Sequence, residues 1–266
     1  MGVPPGETAV GKFFWTAVYL RHDVLRTTDG KTEDAGLWAP LSYRFLRSTP
    51  CDVSHKYDSI VKKASAHNIE PTLNQREKLL FDYMEKGEVF VDLGAGYGAL
   101  LFQAIMHGAS RAVGIELNPV GVTTFQSLLR DPGWYLGPKD RDGKWEITNN
   151  DLYFKDRKQS EKLLKEGCEF IKKSADKVEM LWGDFLECEI PKGGFIFTGA
   201  HLTKDEFRKF FNKIEKETDR CRVAFTTQED DIEKKYKLDW TLVKKHEMVS
   251  GGFFGGRAYL YIFDKN

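Results

Sequence analysis

The chain has 266 residues, 41% hydrophobic and 30% charged, with 40 Lys and Arg balanced by 40 Asp and Glu. That length buries a full core as one large domain or one domain with an appendage, and a zero net charge excludes global steering toward nucleic acid or an anionic membrane. No window approaches the roughly 18 uninterrupted apolar residues of a membrane span, and the start lacks the charged-then-apolar pattern of a secretory leader.

In chain order, a Pro/Gly arm at 1–6 precedes Phe13 to Leu25, whose aromatic and β-branched density predicts a strand. A polar turn region (27–36) and an apolar stretch (Trp38 to Arg47) complete a small N-terminal lobe, residues 1–56; the main domain is expected over 57–266. Lys56 to Ala66 reads as a helix, and Thr72 as the cap of another from Arg76 to Glu85, with Leu79, Leu80 and Tyr83 at helical spacing. From Val89 on, strands and helices alternate as a parallel α/β sheet demands. Strands are predicted at Val89 to Leu93, Ala112 to Glu116, Val178 to Trp182, Phe195 to Phe197 and Arg222 to Phe225. Helices are predicted at Leu100 to His107, Val122 to Leu129, Lys155 to Ser174 and Lys204 to Glu217, and an excursion from the core at 131–150. Two closing runs of alternating apolar residues, Leu238 to Lys245 and Ala258 to Phe263, flank a glycine-rich loop. Cys51, Cys168, Cys188 and Cys221 show no metal-ligand spacing and read as reduced thiols of an intracellular protein.

The first of these strands carries the most chemical information. Val91-Asp92-Leu93 runs directly into Gly94-Ala95-Gly96-Tyr97-Gly98, a turn whose backbone can take dihedrals closed to other residues and can lie against a nucleotide-like ligand. The following helix would aim its N-terminus at that ligand. The same spacing, Gly94-x-Gly96-x-x-Ala99, also satisfies a dinucleotide fingerprint. Asp92 separates the two readings, because a carboxylate two residues before the first glycine repels a pyrophosphate and attracts an ammonium or a sulfonium. S-adenosyl-L-methionine carries both cations. Glu116 ends the second strand about 20 residues beyond the first glycine, where a ribose-binding acid sits in such folds. Asp184 follows the third strand; as a residue type it reads equally well as a cap.

Asp92-Leu93-Gly94-Ala95-Gly96-Tyr97-Gly98 resembles the first motif of class I methyltransferases. The resemblance implies S-adenosyl-L-methionine as cofactor and an α/β fold, a seven-stranded Rossmann-like methyltransferase sheet with antiparallel C-terminal strands. It further implies that Glu116 holds the ribose hydroxyls, Asp184 accepts from the adenine amino group and Phe185 packs on the ring. After the fourth strand the chain reads Thr198-Gly199-Ala200-His201 and lacks the Asn/Asp-Pro-Pro-aromatic box used on nucleobase or amide nitrogens. His201 is a candidate base, although a lone histidine at a strand end is more often a packing residue.

A narrower resemblance, over roughly residues 57 to 263, is to the disruptor-of-telomeric-silencing family of histone lysine methyltransferases, which lack the SET fold. Phe90 to Gly98, Gly114-Ile115-Glu116 and Gly183-Asp184-Phe185-Leu186 resemble that family's cofactor motifs. Glu70-Pro71 resembles its cofactor-covering loop, and Phe253-Phe254-Gly255-Gly256 through Tyr259-Leu260-Tyr261 its aromatic lysine channel. The family has an asparagine pair where this chain has Gly199-Ala200, and a Tyr-Gly-Glu element that Gln75 and its neighbours do not reproduce. The resemblance implies a nucleosomal core-histone lysine as substrate, a nuclear location and a monomer; the departures favour another protein lysine or a small amine. Lysine transfer also makes a physical demand: an ammonium of pKa about 10.4 must be desolvated until a neutral amine can attack in line. Phe253, Phe254 and Tyr259 are the candidate channel walls, and packing of the two phenylalanines into the core is an equal reading.

Overall fold

The computed structural model describes residues 9–14, 80–133, 157–200, 202–250 and 256–265. Among these, seven strands form one sheet: β1 (Val89–Leu93), β2 (Arg111–Glu116), β3 (Val178–Trp182), β4 (Phe195–Thr198), β5 (Cys221–Thr227), β6 (Thr241–Ser250) and β7 (Gly256–Lys265). Their order is β3-β2-β1-β4-β5-β7-β6. The first five are parallel, and β7 enters between β5 and β6 antiparallel to both. This is the Rossmann-like methyltransferase sheet expected from the sequence. Strand order reverses between β1 and β4, which opens a crevice beyond their C-terminal ends, where open α/β sheets bind ligands.

Helices cover both faces: α1 (Ala9–Phe13), α2 (Ala99–Met106), α3 (Pro119–Arg130), α4 (Arg157–Ser174), α5 (Lys204–Glu217) and the short α6 (Ile232–Tyr236). The two-residue period of the strands sorts the core into two layers. Phe90, Phe195, Phe197, Leu260 and Ile262 face the layer that also holds Phe102, Phe125 and Ile171. Val91, Leu93, Ile196, Val223, Phe225, Tyr261 and Phe263 face the layer of α5. The sequence explains α5 in full. Thr203 and Glu206 form a capping box at its start, and Phe207, Phe210, Phe211 and Ile214 recur at helical spacing on its buried side.

Several expected boundaries shift. Phe13 ends a helix instead of opening a strand, because Val10, Phe13 and Phe14 fall on one helical side and all are buried, with Phe14 5.7 Å from Phe102. Tertiary packing overrides β-propensity there. Those residues share the core of the main sheet, while the 56/57 boundary lies outside the described residues. The helix expected to reach Glu85 gives way to turn at Asp82, with Tyr83 and Met84 donating to carbonyls three residues back, Leu80 and Phe81. α3 starts at Pro119, three residues earlier than predicted, because the Asn118 side chain caps it by accepting from the Val120 N–H at 2.8 Å. α6 was not expected; it is a five-residue turn of helix between β5 and β6.

Phe225 is the keystone of the α5 layer. Fully buried, it stacks on Tyr261 at 5.6 Å and Phe263 at 5.9 Å and meets Phe211 edge-on at 5.3 Å. Phe225→Ala is expected to cost about 3–5 kcal/mol of unfolding free energy, read as a lower urea midpoint with unchanged slope.

Candidate functional site

The glycine turn is built by a backbone that leaves β1, folds back and enters α2. Gly94, Gly96 and Gly98 all have positive φ, at 87°, 59° and 81°. At Gly98 the requirement is double, since a Cβ there would lie 2.4 Å from Phe125 Cδ2. The N–H groups of Gly94 and Ala95 both donate to the Ile115 carbonyl, at 2.8 and 3.1 Å, so the turn is sewn to the end of β2.

Glu116 completes the seam. One carboxylate oxygen accepts from the Gly96 N–H at 2.6 Å and the other from the Asn118 N–H at 2.7 Å. It is buried. Burial raises its pKa, while the Asn118 and Gly96 N–H groups pull it back. An ionised carboxylate offers about four lone-pair sites, so about two remain for ligand hydroxyls. α3 is held against the same turn: a Cβ at Gly121 would lie 2.6 Å from the Gly96 carbonyl oxygen and 2.9 Å from Glu116 Cγ.

Asp92 lies on the next strand, 2% exposed. Burial, with the neighbouring Glu116 charge adding to it, pushes its carboxyl up to about 8. Two buried acids beside a turn of open backbone fit a ligand that brings a positive charge and hydroxyl donors. An anionic ligand would add to the repulsion.

The opposite wall comes from β4. Thr198 Oγ1 donates to the Leu93 carbonyl at 2.7 Å and accepts from the Ala200 N–H at 3.2 Å, which folds the chain over Gly94. A Cβ at Gly94 would meet Ala200 Cβ at 3.3 Å and Phe185 Cε1 at 3.9 Å. Phe185 therefore borders the turn with one ring edge, while its body is buried and lies edge-on to Phe210 at 6.5 Å. Asp184 is partly exposed and caps its own turn, Oδ1 accepting from the Leu186 N–H at 2.9 Å. Beside Glu116, Leu117, Val120 and Trp182 form an apolar shelf exposed to 64%, 48% and 70%. The Trp182 indole N–H anchors it by donating to the Leu117 carbonyl at 3.1 Å.

Asp92, Gly94, Gly96, Gly98, Glu116 and Phe185 thus converge, with Asp184 next to Phe185 in the chain. Tyr259 stands apart at the start of β7, paired with Thr227 of β5 and Glu247 of β6. Glu70, His201, Phe253 and Phe254 lie outside the described residues. Sequence reasoning missed Asn118, Gly121 and Thr198. Asn118-Pro119 is a legible cap signature, whereas the other two act through contacts no local pattern announces. Among the described residues no group of three His, Cys, Asp or Glu could hold a metal ion, and no helix is long and apolar enough to cross a membrane. Cys168, Cys188 and Cys221 are free thiols.

No protein-family model and no curated protein matches the chain. Among solved structures it is similar to a putative methyltransferase, yhhF, from Escherichia coli, at 14% identity and TM-score 0.47 over 74% of this chain and 88% of that one. It is also similar to an RNA methyltransferase from Salinibacter ruber in complex with S-adenosyl-L-homocysteine, at 17% identity and TM-score 0.44 over 74% of this chain and 95% of that one. A ribosomal protein L11 methylase from Lactobacillus delbrueckii subsp. bulgaricus matches at 14% identity and TM-score 0.45 over 72% of this chain and 78% of that one. The strand order of the chain rests on its own hydrogen bonds, and these similarities add no residue or substrate to it.

The raised Asp92 pKa makes a signed prediction for the protein without ligand. The folded state keeps a proton that the unfolded chain releases above its ordinary value of 3.8, so Asp92 lowers stability progressively as pH rises from about 4 to about 8. Asp92→Asn removes that dependence. Urea unfolding of both proteins at pH 5 and pH 8.5 is expected to show the variant gaining on the wild type at the higher pH.

Proposed function

We propose that this protein is an S-adenosyl-L-methionine-dependent methyltransferase whose acceptor is an amine nitrogen, on a protein lysine or a small amine. The observation that carries the proposal is the pair of buried acids, Asp92 and Glu116, on either side of an open glycine turn at the reversal of strand order.

Each group then has a task. The glycine turn lets the cofactor's amino-acid portion lie along the backbone, and Asp92, ionising as its proton leaves, balances the positive charge. Glu116 uses its remaining lone pairs for the ribose hydroxyls without releasing Gly96 or Asn118. The shelf of Leu117 and Trp182 on one side and Phe185 on the other offer apolar surface to the adenine, near Asp184. The cofactor, when bound, would supply an electrophilic methyl group on sulfur for transfer to an amine nitrogen. The protein's share is alignment, exclusion of water and desolvation of the ammonium so that a neutral amine attacks. A proton lost to water before attack removes the need for a dedicated base.

A nucleosomal core-histone lysine, with the nuclear location it entails, is the narrower reading. Its support is the resemblance of the cofactor motifs; Tyr259, three strands from β1, does not add to it.

Calorimetry is expected to give binding of S-adenosyl-L-methionine that tightens from about pH 6 to about pH 7.5, below the range in which an α-amino group sheds its charge, and that releases a proton as Asp92 ionises. Asp92→Ala is expected to abolish it; wild-type affinity in that variant would remove Asp92 from the site. Tritium transfer from the labelled cofactor to nucleosomes, free histones, small amines and RNA then sorts the acceptors. Label on nucleosomes but not on free histones supports the narrower reading, label on other amines the broader one, and label on RNA alone overturns both.

A further inference from the structure

A second cation site lies outside the glycine turn, and the chain fills it with one of its own lysines. Lys245 of β6 points its ammonium over two rings of β7, 4.3 Å from the Tyr259 centroid and 5.3 Å from that of Tyr261. The same ammonium pairs with the Asp230 carboxylate, and the Tyr259 hydroxyl donates to the other Asp230 oxygen at 3.4 Å. Burial works against the charge, but hydrogen bonds to Asp230 and Tyr261 outweigh it and hold Lys245 above the usual lysine range.

The floor is rigid. Tyr261 is fully buried, stacked on Phe225 and Phe263, with its hydroxyl donating to the Glu229 carbonyl at 3.4 Å. Glu229 is itself engaged by Lys235 at 2.5 Å and by the Tyr236 hydroxyl at 3.2 Å. The occupant and the acid reach solvent: the Lys245 side chain is 29% exposed and that of Asp230 58%. Lifting the lysine would uncover two aromatic faces beside a carboxylate, a combination suited to an alkylammonium.

The register locates this site relative to the transfer site. Thr198 pairs with Phe225, Phe225 with Tyr261, and Tyr261 with Lys245, in one row along the C-terminal edge of the parallel strands. β7 lies three strands from β1, about 14 Å at the usual strand spacing. That distance is too long for the nitrogen that receives the methyl group and corresponds to about four residues of extended peptide.

We propose that Tyr259, Tyr261 and Asp230 form an anchoring site for a basic side chain that flanks the acceptor in a polypeptide substrate, and that Lys245 occupies it until that side chain displaces it. The inference rests on the amine-acceptor reading for its biology, but the site can be tested without cofactor. Nα-acetyl-lysine methylamide is the probe, its norleucine counterpart the uncharged control, and binding is followed by calorimetry and by the NMR signals of the Tyr259 and Tyr261 rings. Lys245→Ala is expected to bind the lysine probe at least tenfold more tightly than wild type and to ignore the norleucine probe. Lys245→Met, which keeps most of the stem, gives the same comparison where the alanine variant unfolds. Adding Asp230→Asn to either is expected to erase the gain. Equal affinity in wild type and a folded Lys245 variant, or equal binding of the two probes, would overturn the site and leave Lys245 as a cross-strand prop. Failure of cofactor binding in a parallel titration would sink the methyltransferase reading and leave this result standing.

Discussion

The carboxylate of Glu116 is the interaction on which the candidate site depends. It ends β2, yet its two oxygens hold the Gly96 N–H of the glycine turn and the Asn118 N–H at the head of α3. A buried acid with two backbone donors fixes the turn relative to the next helix, and Gly121 lets that helix approach within touching distance of the Gly96 carbonyl. Without this tie the turn, with glycine at every second position, would have more conformations to choose from beyond its bonds to Ile115. The group proposed to hold the ribose also shapes the cradle, so loss of Glu116 would disturb that shape.

The sheet distributes its chemistry by layer and by edge. The central strands β1 and β4 are buried and apolar but for Asp92 and Thr198, and both of these lie toward the C-terminal ends. There the central strands present acids: Asp92 and Glu116 beside the glycine turn. Farther along, the antiparallel end presents aromatic faces and Asp230, with Lys245 in place. One region is short of positive charge and the other already has it. That contrast underlies the proposals that the first takes a cationic cofactor and that the second exchanges an ammonium.

Much of the architecture was legible because local and global signals agree. The strand–glycine–helix sequence from Val89, the strand ending at Glu116 and the helix from Lys204 to Glu217 all form where predicted. The disagreements have physical causes. Phe13 was assigned by residue type to a strand, but its partners are helical neighbours at positions 10 and 14, so the period of contact decided. α6 is too short to carry a periodic signature. Asp184 illustrates a role that residue type leaves open: its Oδ1 is committed to its own turn, so any ligand must use what remains.

By itself, the sequence determined the alternation of strands and helices, the glycine turn, and the two acids that suit a cationic nucleoside, because each of these is written in contiguous residues. Tertiary structure alone decided that Thr198 latches β4 to β1, that Gly121 presses α3 against the turn, and that Lys245 lies over Tyr259 and Tyr261 beside Asp230. Those contacts join residues from 14 to 105 positions apart through strand order and register, which hydrophobic periodicity does not specify.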